Sequence, residues 1–357
     1  MSEAKTFDYW EYFIAETERA QAPLYTKIVR GVSADPEIRE LASHARKGQP
    51  QANILLAAVH FLLLRGAGHR LRHFYPNLNG SVQIEGKDPF PFFRDFVWGH
   101  RAELLPLIET RVTNTNEVGR CSALHAGFRF VAQEPCEPLH LIEVGPSAGL
   151  NLNWDRYRVR YGGGGDAFEV GPPDAAITLI CELRGEKTPP TGPSPSIASR
   201  IGLEMNPVDL SNARQRDWLK ALVWPDHAER FARLEKAINV FQANPVEIRA
   251  GDALALLPDA IAQIPENEPV CIYHTYVVYQ FSEEMREALD NILITASLRR
   301  PLWRLSCEGS LASVGEAPMR VRRYKDGQKQ SEVLAACHPH GAWIEWRAER
   351  PELAAGW

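Results

Sequence analysis

The segment LHLIEVGPSAGLN, residues 139–151, carries two patterns that each imply chemistry. Gly145, Ser147 and Gly149 form G-x-S-x-G, in which a serine nucleophile lies on a sharp turn between a strand and a helix. The same turn follows an apolar run that ends near Glu143. A strand, an acid and a glycine turn in this order begin a nucleotide-cofactor site. The segment therefore predicts either a nucleophilic Ser147 or a cofactor-binding turn.

Further acids follow other predicted strands. The run IGLEMNP is a short strand ending in Glu204, where a carboxylate can accept two hydrogen bonds from a ribose diol. The run RAGDALALLP places Asp252 and Ala253 at a strand-to-helix turn, where the acid can cap the helix or accept from an adenine amino group. Glu182, in LICELRG, competes for the ribose role if its strand is the second of the sheet. We favour Glu204 because its strand leads directly into a helix.

Candidate catalytic residues follow the strand predicted in CIYHTYVVYQF. His274 is a candidate general base because imidazole titrates near neutral pH; ordering of the turn by its hydrogen bonds is the alternative. Tyr276 is a second catalytic candidate that could also wall an acceptor pocket. The earlier polar run TNTNEVGR offers Asn116, Glu117 and Arg120 as substrate-side residues, with helix capping and a surface ion pair as the alternative.

The elements that position these residues change in character near residue 138. Residues 1–137 have helical patterns and predict a helical cap domain. Residues 138–357 repeat strand, turn and helix, which predicts an α/β domain with a mostly parallel sheet. An insertion at about 156–199 and a hairpin around residues 325–327 elaborate it. Ligands of such sheets bind beyond the carboxyl ends of the strands, and the helix expected after Gly149 would offer N–H groups to an anion.

The composition of the chain limits the kinds of partner that we expect it to bind. The chain has 357 residues, 45% hydrophobic and 24% charged, with a net charge of −5, as in folded globular proteins. The mixed charges give no overall basic field, which disfavours a nucleic-acid partner. The acidic N-terminus lacks a signal-peptide pattern, and the longest apolar segment, residues 54–64, is too short for a bilayer. We therefore expect a cytoplasmic protein without a membrane partner; the oligomeric state stays open.

The six cysteines lie far apart in the sequence and none forms C-x-x-C. This spacing favours reduced, buried thiols over disulfides or zinc. They are Cys121, Cys136, Cys181, Cys271, Cys307 and Cys337. His338 and His340 could suggest a metal pair, but the sequence offers no third ligand, so no metal is predicted.

Four segments, LIEVGPSAG, IGLEMNP, RAGDALALLP and CIYHTYVVYQF, together resemble the class I S-adenosylmethionine-dependent methyltransferase superfamily over about residues 138–347. The resemblance implies a Rossmann-like fold, S-adenosylmethionine as cofactor and a small-molecule methyl acceptor. It implies cofactor contacts at Glu143, Gly145, Pro146, Ser147, Gly149, Glu204, Asp252 and Ala253. The whole chain also resembles a bacterial family known only as domain of unknown function 2332, most specifically in the run that begins SRIGLEMNPVDL.

Two alternatives to a methyltransferase stay open. A non-catalytic scaffold of the same fold is motivated by Pro146 and Ala148, which crowd a loop where the superfamily has glycines at alternate positions. A serine hydrolase using Ser147 needs a late histidine as base. His338 and His340 qualify by chain order, but they lie in or beside the terminal hairpin, and no His-Gly-Gly oxyanion loop precedes the serine. The turn in CIYHTYVVYQF also lacks the Asn/Asp-Pro-Pro-Tyr sequence of nucleic-acid amino-group methylases, which disfavours a base as the acceptor.

Overall fold

The computed structural model describes residues 8–79, 86–134, 137–163, 167–309 and 315–349. The chain forms two compact units, one of Met1–Thr115 with Val208–Glu235 and one of Asn116–Pro207 with Lys236–Trp357. These boundaries differ from a single division at residue 137, because the chain returns once to the first unit. Cys136 and residues 164–165 of the four-glycine run lie outside the described residues. Cys121, Cys181, Cys271, Cys307 and Cys337 are buried free thiols.

The helices follow the local signals of the sequence. In the described residues they are α1 (Tyr9–Arg19), α2 (Pro23–Ala34), α3 (Pro36–Ser43), α4 (Gln51–Leu64), α5 (Pro76–Asn79), α6 (Phe90–Gly99), α7 (Arg101–Thr110), α8 (Cys121–Val131), α9 (Ala213–Ala221), α10 (Ala228–Ala243), α11 (Ala253–Ala262) and α12 (Glu283–Ala296). The apolar α4 is buried around its circumference, as its sequence predicts. Among these helices, no helix is both long and apolar enough to cross a membrane.

Residues 208–235 join the first unit through long-range hydrogen bonds. The Asp226 carboxylate accepts from the Leu24 N–H at 2.8 Å and from the Tyr25 N–H at 3.3 Å, at the start of α2. This contact satisfies amide groups that lack partners within the helix. The Trp218 indole on α9 donates to the Val112 carbonyl at 2.9 Å. These contacts explain why a segment that follows the cofactor-type strands in sequence packs with the early helices.

The second unit is built on one eleven-stranded sheet. Its strands are β1 (Leu139–Val144), β2 (Arg158–Gly162), β3 (Phe168–Val170), β4 (Thr178–Arg184), β5 (Ile197–Glu204), β6 (Glu247–Ala250), β7 (Val270–Thr275), β8 (Leu302–Cys307), β9 (Ala317–Lys325), β10 (Gln328–Cys337) and β11 (Trp343–Trp346). Their order is β3-β2-β4-β11-β10-β9-β8-β7-β1-β5-β6. Six neighbouring pairs are parallel and four are antiparallel, so the expected mixed α/β fold with a mostly parallel sheet is confirmed.

The sheet curves around α8, which the sequence placed in the helical cap. Every residue of α8 is buried, and the helix contacts β4, β8 and β9. In the sheet order β4 and β8 are four positions apart. That is about 19 Å in a flat sheet, wider than a helix of about 10 Å diameter. The Phe128 ring also packs against Trp154 at 4.7 Å and Tyr273 at 5.0 Å between ring centroids. The expected cap helix is therefore the centre of the second unit.

The region expected as an insertion supplies β2, β3 and β4, which extend the sheet beyond β11. The predicted terminal hairpin is confirmed: β9 and β10 pair antiparallel, and Asp326 and Gly327 take left-handed φ values of 51° and 74° in the turn. The helix expected after Gly149 is absent. A seven-residue 3₁₀ segment, Leu150–Arg156, follows instead, so no α-helix N-terminus faces the turn.

Strand β1 lies between β5 and β7. After β1 the chain forms β2, β3 and β4 at the far end of the sheet. It then adds β5 and β6 on one side of β1 and returns to β7 and β8 on the other. The strand order therefore reverses at β1 and β7, and the carboxyl ends of these strands form the switch point at which open α/β sheets bind ligands.

Candidate functional site

Three acids line the carboxyl edge of three adjacent parallel strands. Glu143 is the penultimate residue of β1, Glu204 ends β5, and Asp252 follows β6 by two residues. Neighbouring strands lie about 4.8 Å apart, so the backbone positions of the three acids span about 10 Å of this edge. Glu182 lies on β4, is exposed and pairs with Arg184, and five strands separate β4 from β1 in the sheet. The topology thus places Glu204, not Glu182, beside the turn.

The turn after β1 has left-handed backbone at alternate residues. The φ values are +70° at Gly145, +56° at Ser147 and +79° at Gly149. A serine in this conformation is uncommon and is held by its surroundings. The Ser147 N–H donates to one Glu204 carboxylate oxygen at 2.8 Å, and the Asn206 N–H donates to the other at 3.0 Å. Glu204 therefore fixes the shape of the turn.

Packing explains the small and cyclic residues of the turn. A Cβ on Gly145 would lie 2.5 Å from a Val277 methyl, so Val277 occupies the space that a side chain at this position would need. The Pro146 ring packs on Gly202 of β5, where a Cβ would come within 2.6 Å of the ring. Ala148 is fully buried. Gly145, Pro146 and Ala148 are therefore small or cyclic because the protein packs closely around the turn.

Glu143 is a buried acid with few compensating contacts. Its side chain accepts the Tyr273 hydroxyl at 2.9 Å, and the residue is 2% exposed. Burial raises the pKa of Glu143 to about 8; the Tyr273 hydrogen bond lowers it, the Glu204 charge raises it, and Arg120 lowers it. At neutral pH this carboxyl is therefore mostly protonated, and a cation placed beside it would favour its ionisation.

The predicted general base, His274, has both ring nitrogens occupied. Its Nδ1 bonds to the Glu308 carboxylate, and its Nε2 accepts from the Arg304 guanidinium at 2.9 Å. Burial is the main cause that lowers the pKa of His274, and the residue is 1% exposed. Glu308 also accepts the N–H groups of Val277 and Tyr279 at 3.1 Å. His274 therefore orders the turn after β7, and neither nitrogen can take a proton from an acceptor in this geometry.

Tyr276 lies at the switch point with a left-handed φ of +57°. The Arg120 guanidinium covers its ring at 4.3 Å from the centroid and donates to the Pro339 carbonyl at 3.0 Å and the Thr275 carbonyl at 3.4 Å. Burial raises the pKa of Tyr276, so its hydroxyl keeps its proton at neutral pH. Gly309 leaves room for the ring, since a Cβ there would lie 2.8 Å from it. Tyr276 can wall a site, but it is a poor base.

Of the other substrate-side candidates, Asn116 caps the chain after the turn and Glu117 lies beside His340. Asn116 accepts the Leu150 N–H at 2.8 Å and so fixes the chain just after the turn. Glu117 is 8% exposed. Its carboxylate accepts the Gly119 N–H at 2.9 Å and lies 3.5 Å from Nδ1 of His340. The His340 side chain is 42% exposed. The sequence raised His340 only as a metal ligand or a hydrolase base, and its contact with Glu117 is invisible in local patterns.

Burial counts against a nucleophilic Ser147. The residue is 2% exposed, and its backbone N–H is committed to Glu204. A nucleophile must be reached by its substrate while a base stands within hydrogen-bond distance. In the residues the structure describes, no group of three His, Cys, Asp or Glu side chains is arranged to hold a metal ion.

A family model described as "Uncharacterized protein conserved in bacteria (DUF2332)" matches residues 11–346. The chain belongs to this family. The match spans both units and contains every site residue described above. Neither a curated protein nor a solved structure matches the chain.

Proposed function

We propose that this member of the family binds S-adenosylmethionine at the carboxyl edge of β1, β5 and β6 and transfers its methyl group to a small-molecule acceptor. The proposal includes a Rossmann-like methyltransferase type for the second unit. The observation that carries it is the order of Glu143, Glu204 and Asp252 along three adjacent strands, beside a turn with left-handed backbone at alternate residues. An acid that binds a ribose and a turn close to it are the parts that such a site needs.

The donor set fits this cofactor. Glu143 and Glu204 are two acids near one turn, and the charge of Glu204 contributes to the raised pKa of Glu143, behind burial. A further cation beside this pair would favour the ionisation of Glu143, and the cofactor carries an ammonium and a sulfonium. A carboxylate has about four acceptor positions, so Glu204 keeps capacity for a ribose diol after accepting two N–H groups. The Asp252 side chain accepts the Leu254 N–H at 2.9 Å, and its second oxygen can accept an adenine amino group.

When bound, the cofactor supplies an electrophilic methyl group, and the protein must position the acceptor and hold a proton. Tyr276 and Arg120 form a rigid wall at the switch point that can orient the acceptor. In this proposal His340 accepts the proton that an oxygen or nitrogen acceptor loses. The Glu117 carboxylate, 3.5 Å from Nδ1, would stabilise the charged imidazole that results. This assignment replaces His274 as the base.

Calorimetric titration with S-adenosylmethionine and S-adenosylhomocysteine tests the proposal in wild type, Glu204→Gln and the matched control Glu182→Gln. Glu182 is the exposed rival acid on β4, so its change removes the same charge away from the edge. We expect wild type and Glu182→Gln to bind alike. Glu204→Gln should bind about 10- to 100-fold more weakly, because it loses charge-assisted hydrogen bonds worth about 1.5–3 kcal/mol.

Circular dichroism establishes that Glu204→Gln is folded before the titration is interpreted. No binding of either ligand to folded wild type at about 1 mM would contradict the proposal, because that concentration detects a site worth only about 4 kcal/mol of binding free energy. Binding unaffected by Glu204→Gln would contradict the assigned edge. Binding without methyl transfer to any acceptor would favour the non-catalytic scaffold.

A further inference from the structure

A second set of chemically reactive side chains lies near the amino-terminal ends of the strands. Nδ1 of His140 lies 2.7 Å from the Ser199 hydroxyl, and its Nε2 is in short hydrogen-bond contact with the Glu268 carboxylate. An ionised carboxylate only accepts hydrogen bonds, so Nε2 carries the proton. Nδ1 is then the acceptor of the Ser199 hydroxyl proton. This is the tautomer that a histidine needs in order to act as base toward a serine.

The register of the sheet builds this arrangement. His140 on β1 is the direct partner of Ser199 on β5 and of Val270 on β7. Glu268 precedes β7 by two residues. Paired residues on neighbouring parallel strands project from the same face, which places the hydroxyl and the imidazole side by side. Three backbone segments therefore converge to hold the side chains in one line.

The exposure of the three side chains suits their roles. Ser199 is exposed, so a substrate can reach its hydroxyl. The His140 side chain is 10% exposed and that of Glu268 is 40% exposed, so the base is shielded while its partner reaches solvent. His140 and Glu143 are three residues apart on β1, so they project from opposite faces about 10 Å apart along the strand. This set is therefore distinct from the proposed methyl-transfer site.

We propose that Ser199, His140 and Glu268 form a catalytic triad that hydrolyses small carboxylic esters, an activity independent of methyl transfer. Ser199 Oγ forms a bond to the ester carbonyl carbon while its proton passes to His140 Nδ1. Collapse of the tetrahedral intermediate breaks the bond to the alcohol oxygen, which leaves with that proton. Water then attacks the acyl-serine, again giving a proton to His140, and the carboxylic acid is released as Ser199 regains its proton.

The edge of β5 that faces away from β1 is open near Ser199. Among the described residues, β6 pairs with β5 only from Ile201 onward, so no β6 residue covers the edge of β5 beside Ala198. An uncovered strand edge presents backbone N–H groups. Such groups stabilise the charge that forms on a carbonyl oxygen during acyl transfer.

Labelling with a fluorophosphonate probe, with mass spectrometry to locate the labelled serine, tests the triad on the full-length protein. We expect the label on Ser199 in wild type and in the control Ser331→Ala, an exposed serine on β10, and none in Ser199→Ala. His140→Gln should slow labelling by about 100-fold or more, because a general base contributes at least that factor. Glu268→Gln should slow it as well, with Glu268→Asp restoring part of the rate.

The dependence of the labelling rate on pH separates a catalytic base from a structural histidine. The labelling rate of wild type should depend on pH, and this dependence should be absent in His140→Gln. No label on Ser199 of folded protein, or a label on Ser147 instead, would overturn the proposal. A Ser199 rate unchanged by His140→Gln would overturn it equally.

Discussion

Replacing Glu143 by glutamine should stabilise the protein, and increasingly so as the pH rises. Glutamine has the same shape and still accepts the hydrogen bond from the Tyr273 hydroxyl, which lies 2.9 Å from the Glu143 carboxylate. The replacement removes a buried acid whose pKa is raised from 4.5 to about 8 in the folded state, mainly by burial. An acid with a raised folded-state pKa lowers stability at high pH, because the unfolded chain loses the proton first.

The size of the effect follows from the two pKa values. The contribution of Glu143 is fully favourable below pH 4.5 and is lost as the pH rises toward 8. At pH 7 the unfolded carboxyl is about 2.5 pH units above its pKa, which costs about 3 kcal/mol at ~1.36 kcal/mol per unit. Above pH 8 the cost in unfolding free energy levels off at about 5 kcal/mol. The glutamine variant carries no such cost, so its advantage should follow this curve.

Urea unfolding from pH 5 to pH 9, followed by far-ultraviolet circular dichroism, measures this advantage. The quantity of interest is the difference in unfolding free energy between Glu143→Gln and wild type at each pH. Glu182→Gln is the control, because that acid is exposed and its pKa is lowered by its pairing with Arg184. A difference that stays constant with pH, or shrinks as pH rises, would refute the assignment of Glu143 as a buried, protonated acid.

Two further predictions concern the packing of the turns. Gly202→Ala places a methyl 2.6 Å from the Pro146 ring and should cost about 1–3 kcal/mol of unfolding free energy; an unchanged urea midpoint would contradict this packing. His274→Ala leaves Glu308 and Arg304 without the imidazole between them and should cost about 3 kcal/mol or more, measured by urea unfolding at pH 7. Full stability with loss of methyl transfer would instead restore His274 as a base.

The sequence predicts the structure correctly where the residues of one short segment determine its strand, turn or helix cap. The run RAGDALALLP forms β6, a turn and α11, and Asp252 caps that helix as the sequence allowed. The strand that ends in Glu204 and the hairpin at Asp326 and Gly327 also lie where the residues predict them. In each case the apolar run and the turn residues that make the prediction lie within about ten residues of each other.

Long-range contacts account for what the sequence could not predict. The periodicity of α8 is the same for a cap helix and for a helix enclosed by a sheet. Its buried Arg129 is satisfied by Gly192 and Ser194, more than sixty residues away. His140 and Ser199 are 59 residues apart and meet only because β1 and β5 pair in that register. Strand pairing and buried polar contacts of this kind are set by tertiary structure.

A crystal structure of the protein with S-adenosylhomocysteine would show where the cofactor product binds. We expect a nucleoside whose ribose diol lies within hydrogen-bond distance of the Glu204 carboxylate, with its amino group facing Glu143 and its adenine toward Asp252. A nucleoside bound elsewhere on the chain, or none at a saturating concentration, would contradict it.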